Sequence, residues 1–337
     1  MERGCLGSRV TELFGSARRP TRLLVAAALA AGVGQPSASW AQVLPAEREA
    51  FEKLGRQVDG LVVWSSNREG NHDLYLVDLA TGRESRLTRN PRPDFFSRFS
   101  PDGRQIAFLR GQRRRVSFRE HDAWDLWVMD ADGRHPRRLV ESAYHPTWTP
   151  DGTGIVYVQD NNVMRYDLAS GMSDVVHRGE DEPTSGRIEE AEILADDLVA
   201  ITLRGVPHET VGVIDLTAAR YIPISAGRAC QITWVAGGRE VVWIDDGGRG
   251  DKQVMRASLD DPRPEVLIDL PHEFSHEYFP RVTRDGQWLI WGAAAEGHEH
   301  DQADYEIFAW RLGAPWESAA RLTHSSSNDQ WPDLYVR

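Results

Sequence analysis

The sequence predicts an all-β fold in which six four-stranded sheets close into a ring, and three observations support this prediction. A hairpin with the same kind of turn recurs at intervals of about 45 residues. Alternating apolar and polar residues flank each turn, which is the pattern of half-buried strands. Sustained helical periodicity is confined to residues 46–57. Four strands in a repeat of this length form one blade of a β-propeller, so we expect a six-bladed β-propeller.

The hairpin turn that opens each repeat has a defined chemistry. Its clearest copies, at 100–103 and 149–152, read Ser-Pro-Asp-Gly and Thr-Pro-Asp-Gly. Proline presets φ, aspartate bonds to nearby backbone amides, and glycine adopts the open corner of the turn. Weaker copies lead into strand-like segments at 198–202, 240–244 and 287–291. The repeat therefore predicts five sequential blades after a shorter first unit.

The first unit and the C-terminus together supply the remaining blade. Residues 61–88 contain only three strand-like segments, and the chain ends with a lone one at 329–337. We therefore expect the C-terminal strand to complete the first blade and close the ring. Closure removes open sheet edges, which would otherwise pair with other chains. A β-sandwich is the alternative all-β fold, but it does not explain a repeat that carries the same turn each time.

The first 41 residues have the three parts of a secretory signal peptide. Five arginines lie within 1–22, an apolar run follows at 23–33, and Ser39 and Ala41 occupy small-residue cleavage positions. The apolar run is shorter than the ~20 residues that span a bilayer. We therefore predict cleavage and export to the periplasm. The predicted organisation is a signal peptide at 1–41, a short helix and linker at 42–59, and the propeller at 60–337.

The charge balance restricts the partners of the protein. The formal net charge is −12, which argues against nucleic acids and anionic membrane surfaces as main partners. A second apolar run of membrane length does not follow the predicted signal, so we expect no transmembrane segment in the mature chain, and a monomer. Cleavage would leave Cys230 as the one cysteine, so we expect no internal disulfide.

The chain resembles the TolB-like six-bladed propeller family in three features. These are the two clear hairpin turns, the strands Asp-Leu-Tyr-Leu-Val-Asp at 73–78 and Asp-Leu-Trp-Val-Met-Asp at 125–130, and the closing segment Asn-Asp-Gln-Trp-Pro-Asp at 328–333. The resemblance covers roughly residues 60–337. It does not extend to the additional N-terminal domain that TolB carries before its propeller. It implies an exported propeller that binds proteins or peptides. Enzymatic relatives use such propellers as gating domains of peptidases or carry a lyase site, but we expect no hydrolase domain after the closing strand.

One face of the predicted propeller collects histidines. The loops between blades and the loops between second and third strands share this face, and they hold ten of the 11 histidines together with many carboxylates. Such a face could hold a divalent metal, a basic peptide or a polyhydroxylated ligand. Alternatively, surface loops collect polar residues whatever the function. Two tryptophans near this face are candidates for stacking on a ligand. The candidate ligand-face residues are His72, His121, Trp124, His145, His208 and Trp331.

The densest histidine cluster lies in loops of the sixth blade and suggests a divalent metal as cofactor. The pair His272 and His276 has the spacing of the zinc-protease motif, and the pair His298 and His300 can chelate from an extended loop. The zinc-protease motif requires a helix, whereas a proline precedes the first pair and a strand follows it. We therefore do not expect a metallopeptidase.

No established catalytic motif appears in the sequence. The nucleophile elbow Gly-x-Ser-x-Gly, the phosphate-binding loop and the dinucleotide fingerprint are all absent. We therefore predict a module of the cell envelope that binds a protein or peptide and carries no catalytic residue. The alternative prediction is a metal-dependent lyase or hydrolase that acts on a saccharide through the histidine cluster of the sixth blade. A structural accessory of an envelope assembly is a third possibility.

Overall fold

The computed structural model describes most of the predicted propeller. The described residues are 43–181, 184, 186–195, 197–205, 209–225, 227–235, 239–247, 252–270, 274–295, 297 and 299–337. The predicted signal peptide at 1–41 lies outside them, as do His208, His272 and His298. Across the described ranges, no helix combines the length and the hydropathy needed to cross a bilayer.

The described residues form 24 strands, one α-helix and short 3-10 turns at His121–Ala123 and Trp316–Ser318. The helix is α1 (Pro45–Gly55). The strands of the first three units are β1 (Gly60–Ser66), β2 (Asp73–Asp78), β3 (Arg83–Arg86), β4 (Asp94–Phe99), β5 (Gln105–Gly111), β6 (Trp124–Asp130), β7 (Arg137–Val140), β8 (Tyr144–Trp148), β9 (Gly154–Gln159), β10 (Asn162–Asp167) and β11 (Ser173–Arg178). The remaining strands are β12 (Arg187–Ala195), β13 (Leu198–Arg204), β14 (Glu209–Asp215), β15 (Arg220–Pro223), β16 (Ala229–Val235), β17 (Glu240–Asp246), β18 (Lys252–Ser258), β19 (Glu265–Ile268), β20 (His276–Val282), β21 (Trp288–Ala294), β22 (Tyr305–Arg311), β23 (Ala320–Arg321) and β24 (Asp329–Val336).

These strands form six antiparallel four-stranded sheets, which confirms the predicted six-bladed β-propeller. Blade 1 has the order β24-β1-β2-β3, and blades 2 to 6 each contain four consecutive strands, beginning at β4, β8, β12, β16 and β20. The first strand of every blade contacts the first strand of the next blade, and the six inner strands thus surround a central channel.

The C-terminal strand closes the ring, as the sequence predicts. Strand β24 pairs antiparallel with β1, from Gly60 opposite Val336 to Ser66 opposite Asp329. The last strand of the chain therefore becomes the innermost strand of the blade that the N-terminal strands begin. This pairing joins the two ends of the propeller without leaving an exposed inner edge.

The repeated turn has the chemistry that its sequence predicts. The hydroxyl of Thr149 donates to the carboxylate of Asp151 at 2.6 Å, and the amide of Thr153 donates to the same oxygen at 3.0 Å. These hydrogen bonds lower the pKa of Asp151 to about 2, because they stabilise its charged form. Asp102 binds Ser100 and the amide of Arg104 in the same way.

Helix α1 covers the joint between blades 1 and 6. Phe51 and Leu54 on its inner face are buried, and their apolar cluster includes core side chains of both blades. The carboxylate of Glu47, on the same helix, accepts a hydrogen bond from the amide of His324 at 3.1 Å. Because His324 precedes β24, this contact connects the helix to the segment that closes the ring.

Candidate functional site

A bulge at the same place in the inner strands turns one side chain of each blade toward the channel. Five of these residues have positive φ values between 50° and 60°. In blade 4 the register shift leaves Glu189 unpaired, and Glu190, which pairs with Thr202, takes the corresponding position in the ring beside His145. Bulges commonly re-aim a side chain next to a functional site. The six residues, in order around the ring, are Phe96, His145, Glu190, Gln231, Phe279 and Trp331.

One half of this inner ring is aromatic and closed. The indole of Trp331 lies between Phe96 and Phe279, with ring centroids 3.7 and 4.2 Å away. Trp331 is only 1% exposed. The three rings therefore plug the channel beside blades 1, 2 and 6.

The other half of the ring is polar. The hydroxyl of Thr202 donates to Glu190 at 2.9 Å, and the side-chain oxygen of Gln231 accepts from the amide of Phe279 at 2.6 Å. The imidazole of His145 lies 3.9 Å from Glu190. Burial, together with nearby arginines, lowers the pKa of His145 well below its usual range, so this imidazole is neutral at pH 7.

A charged layer lies deeper in the channel, two residues further along the inner strands. Arg281 makes two contacts with the carboxylate of Glu192, at 2.7 and 3.1 Å, and Thr233 donates to the same carboxylate at 2.9 Å. Burial, together with the positive charge of Arg281, lowers the pKa of Arg98 to about 9. The carboxylate of Asp333 has the opposite effect on both arginines.

Two loops meet above the aromatic half of the ring. The hydroxyl of Ser117, in the loop between β5 and β6, donates to Asp301 in the loop between β21 and β22, at 2.5 Å. Phe118 stacks on His300 at 4.3 Å, and Arg119 pairs with Glu299 at 2.9 Å. We call this contact the loop bridge. Among the described residues, none covers the channel mouth on the side of blades 3, 4 and 5, where a cavity lies.

The open side contains a cavity of about 630 Å³. Its lining comes from blades 2 to 6, with Glu190 and Gln231 at the floor and the loop bridge on one side. The described lining has five basic side chains against three carboxylates, although the chain as a whole is acidic. The basic residues are Arg119, Arg187, Arg204, Arg228 and Lys252.

His121 lies at the rim of the cavity, and each of its ring nitrogens has a polar neighbour. Its Nε2 lies 3.4 Å from Glu189, and its Nδ1 is 3.1 Å from a guanidinium nitrogen of Arg187. Its ring stacks on Tyr144 at 3.9 Å. Burial lowers the pKa of His121, although the carboxylate of Glu189 opposes this effect. The net lowering of the pKa favours the neutral ring. In the neutral ring with its proton on Nε2, Nδ1 can accept from Arg187 while Nε2 faces the carboxylate of Glu189.

A groove of about 420 Å³ adjoins the cavity. The two share His121, Tyr144 and Arg187, and the groove continues past Asp160 and Asn161 at the outer part of blade 3. A ligand in the cavity can therefore extend toward the edge of the propeller. This geometry suits a chain-like ligand better than a small compact molecule.

Three of the six predicted ligand-face residues lie around the channel. These are His121, His145 and Trp331, whereas His208 is outside the described residues. His72 packs on Phe95 at 4.2 Å, and burial lowers its pKa to about 3.

Trp124 lies in the core beneath the loops, with no exposed surface, and its Nε1 donates to the carbonyl of Ser117 at 3.3 Å. It supports the loop bridge and offers no free face on which a ligand could stack.

Half of the predicted metal cluster can be located. His300 is buried among Phe118, Tyr278 and Phe279, with ring centroids 4.3 to 5.0 Å apart. His276 begins β20, next to Ser275. Within the described ranges, no three His, Cys, Asp or Glu side chains converge as metal ligands. The other two histidines lie outside those ranges, so the divalent metal and the enzyme activity based on it stay predictions.

A buried carboxyl at the start of blade 6 gives a pH-dependent prediction. Burial raises the pKa of Glu277 from about 4.5 to about 8, and its Oε1 accepts from the amide of Leu270 at 2.6 Å. A raised pKa in the folded state gives stability that is present at low pH and lost as the pH rises through about 8.

We therefore expect the stability of Glu277→Gln, relative to wild type, to improve by about 2–3 kcal/mol between pH 6 and pH 9. Urea denaturation at both pH values measures this difference. The exposed Glu265, changed to glutamine, is the control and should show no such trend. A difference that stays constant for Glu277→Gln would contradict the prediction.

The comparisons with known proteins agree with the architecture. No protein-family profile matches the chain. TolB from Acinetobacter baumannii superposes with a TM-score of 0.63 at 12% identity, over 82% of this chain and 66% of that one. Oligogalacturonate lyase from Vibrio parahaemolyticus superposes with a TM-score of 0.50 at 16% identity, over 77% of this chain and 74% of that one.

Sequence relatives match only part of the chain. Dipeptidyl-peptidase 5 from Porphyromonas gingivalis is 25% identical over 199 residues, which are 52% of this chain and 28% of that protein. The chain spans less than a third of the length of the curated relatives it matches. The structural likeness confirms the resemblance that the repeats indicate: the chain has the TolB-like six-bladed propeller fold.

Proposed function

We propose that this protein is an exported, monomeric propeller of the cell envelope that binds a protein or peptide segment without catalysing a reaction. The observation that carries the proposal is the cavity of about 630 Å³ on the open side of the channel mouth, with its adjoining groove. The predicted signal peptide supports a periplasmic location, since export requires it.

The shape of the site supports a peptide-sized ligand. Tyr144 and Tyr278 provide aromatic surface in the cavity lining, while Glu190 and Gln231 provide polar groups at its floor. Binding sites commonly combine apolar walls with a few convergent polar groups. Dipeptidyl-peptidase 5 acts on peptides according to its name, which also favours this class of ligand.

The state of the histidines supports a role in binding alone. A general base needs a ring nitrogen within reach of the proton that it removes. Both nitrogens of His121 are engaged by Glu189 and Arg187, and the imidazole of His145 is buried. His300, the second histidine in the described cavity lining, is buried against aromatic rings, so we assign none of these three histidines a role in proton transfer.

Peptide display, combined with a measurement of how fast Cys230 is alkylated, tests the proposal. Cys230 lines the cavity and is the one cysteine among the described residues. A peptide selected from a displayed library on the mature protein is expected to slow alkylation of Cys230 by a maleimide. The control is the Cys230→Ala/Arg220→Cys variant, which moves the thiol to the opposite face and should show no protection. Selected peptides that leave Cys230 unprotected, or a selection without enrichment, would contradict the proposed function.

A further inference from the structure

We infer that the ligand of the cavity is an acidic peptide segment, recognised by basic side chains of blades 4 and 5. This inference rests on the proposed function and adds the charge of the ligand. The many carboxylates of this face suggested a basic peptide as one possible ligand. The structure favours the opposite charge, because the loop carboxylates of blade 6 are paired in the loop bridge, while basic side chains outnumber carboxylates in the described cavity lining.

The loop carboxylates of blade 6 are occupied in the loop bridge. Glu299 pairs with Arg119, and Asp301 accepts hydrogen bonds from the hydroxyl of Ser117 and the amide of Phe118. These acidic groups hold two loops together above the aromatic half of the ring. They therefore add little negative potential to the open side, where the ligand would enter.

In blade 4, two arginines share one carboxylate at the cavity. The Nε of Arg204 lies 3.0 Å from Glu189, and the Nε of Arg187 lies 3.4 Å from the same carboxylate. Both arginine side chains are more than half exposed. Among the described residues at the rim of this blade, two positive charges therefore face one negative charge, while Glu190 lies at the floor.

Blade 5 repeats this arrangement. Arg228 lies 3.8 Å from Asp246, and Lys252 contacts the same carboxylate. Arg228 is 70% exposed, so its guanidinium can meet a ligand at the cavity mouth. Blades 4 and 5 are neighbours in the ring, and their four basic groups thus border one continuous part of the opening. Arginine favours carboxylates in particular, because its planar donors match the two oxygens of the acid.

The floor of the cavity favours a peptide over an acidic saccharide. Glu190 is buried at the floor, where it accepts hydrogen bonds and repels anions. An acidic peptide presents backbone N–H donors to such a floor and carries its charges on side chains that reach the rim. A polyuronate has a carboxylate on every sugar unit and would place one of them near Glu190, which is unfavourable in a buried site.

The net charge of the chain makes the basic lining informative. A protein with a formal charge of −12 repels acidic peptides at long range. Salt of about 0.1 M screens exposed charges beyond about 10 Å, while contacts within the cavity persist. Binding of an acidic peptide at this salt concentration would therefore report the local excess of basic groups.

Binding of fluorescein-labelled hexaglutamate, measured by anisotropy at about 0.1 M salt, tests the inference. We expect hexaglutamate to bind more tightly than hexalysine and to protect Cys230 from alkylation. The double variant Arg204→Gln/Arg228→Gln should lower its affinity about tenfold or more, because two charge-assisted contacts are lost. The matched control, Arg220→Gln/Arg256→Gln, removes one exposed, paired arginine from each of the same blades away from the cavity. It should change the affinity less than about twofold.

Each other outcome overturns the inference. Equal losses of affinity in the two double variants would show that net charge alone governs binding. Tighter binding of hexalysine would indicate a basic ligand instead of an acidic one. Binding of hexagalacturonate in place of hexaglutamate would assign the cavity to an acidic saccharide. If displayed neutral or basic peptides protect Cys230 while hexaglutamate does not, the proposed function stands and the inference on charge fails. If no peptide protects Cys230, both fail.

Discussion

Replacing Trp331 with alanine is expected to lower the free energy of unfolding by about 3–5 kcal/mol. The indole is buried between Phe96 and Phe279, and truncation would leave a cavity in the middle of the inner ring. Trp331 also belongs to the strand that closes the propeller, and its carbonyl accepts from the hydroxyl of Ser97 in the next blade. The loss therefore affects the packing of three blades at once.

Urea denaturation of Trp331→Ala and two control variants measures this effect. Trp331→Phe keeps an aromatic ring between the two phenylalanines, so we expect it to lose less than about 2 kcal/mol. Met172→Ala changes a side chain that is 63% exposed and should stay within about 0.5 kcal/mol of wild type. If the alanine variant were as stable as the phenylalanine variant, the inner aromatic ring would not stabilise the closure.

The repeats predict the fold well because its chemistry is local. The turn of Thr149 and Asp151 closes through hydrogen bonds between residues no more than five positions apart, so the sequence of the turn is enough to identify it. Closure by the C-terminal strand follows from a count of strands. The location of the histidine-rich face follows from the alternation of hairpins, which fixes the end of the propeller at which each loop emerges.

The direction of the inner side chains requires more than alternation. A bulge adds a residue to a strand, and the simple period of two no longer assigns its side chains to faces. An alignment of the repeats would have found these residues. In blades 2 to 6, each lies three positions before the apolar residue that leads into the hairpin turn, such as Phe96 before Phe99 and His145 before Trp148. The same rule selects Glu190 before Ile193.

The basic lining of the cavity could not be predicted from local sequence. Arg204 and Arg228 belong to different blades, and the carboxylates that they contact are 15 and 18 positions away in the chain. Trp124 shows the opposite problem, since its position at the start of a strand near the loop face suggested exposure. The loop that precedes it folds over the indole and accepts its hydrogen bond through Ser117. Convergence in space, not composition, determines which loop residues face a ligand.

The buried ion pair of the channel gives a second large effect. Glu192 and Arg281 are both nearly buried and share two close contacts. Glu192→Gln keeps the size of the side chain but leaves Arg281 and the buried Arg98 with less compensating charge. We expect this variant to lose about 3–5 kcal/mol of unfolding free energy, as measured by urea denaturation, because an uncompensated buried charge is strongly unfavourable.

Two further variants separate charge from packing. Glu265→Gln breaks an exposed pair with Arg256 and should cost at most about 1 kcal/mol. The double variant Glu192→Leu/Arg281→Met replaces the buried pair with apolar side chains and should recover most of the loss, because desolvation opposes the attraction within such a pair. If Glu192→Gln were no more harmful than Glu265→Gln, compensation of Arg281 would not stabilise the channel. If the double variant were less stable than Glu192→Gln, the hydrogen bond from Thr233 to Glu192 would contribute more than the charge does.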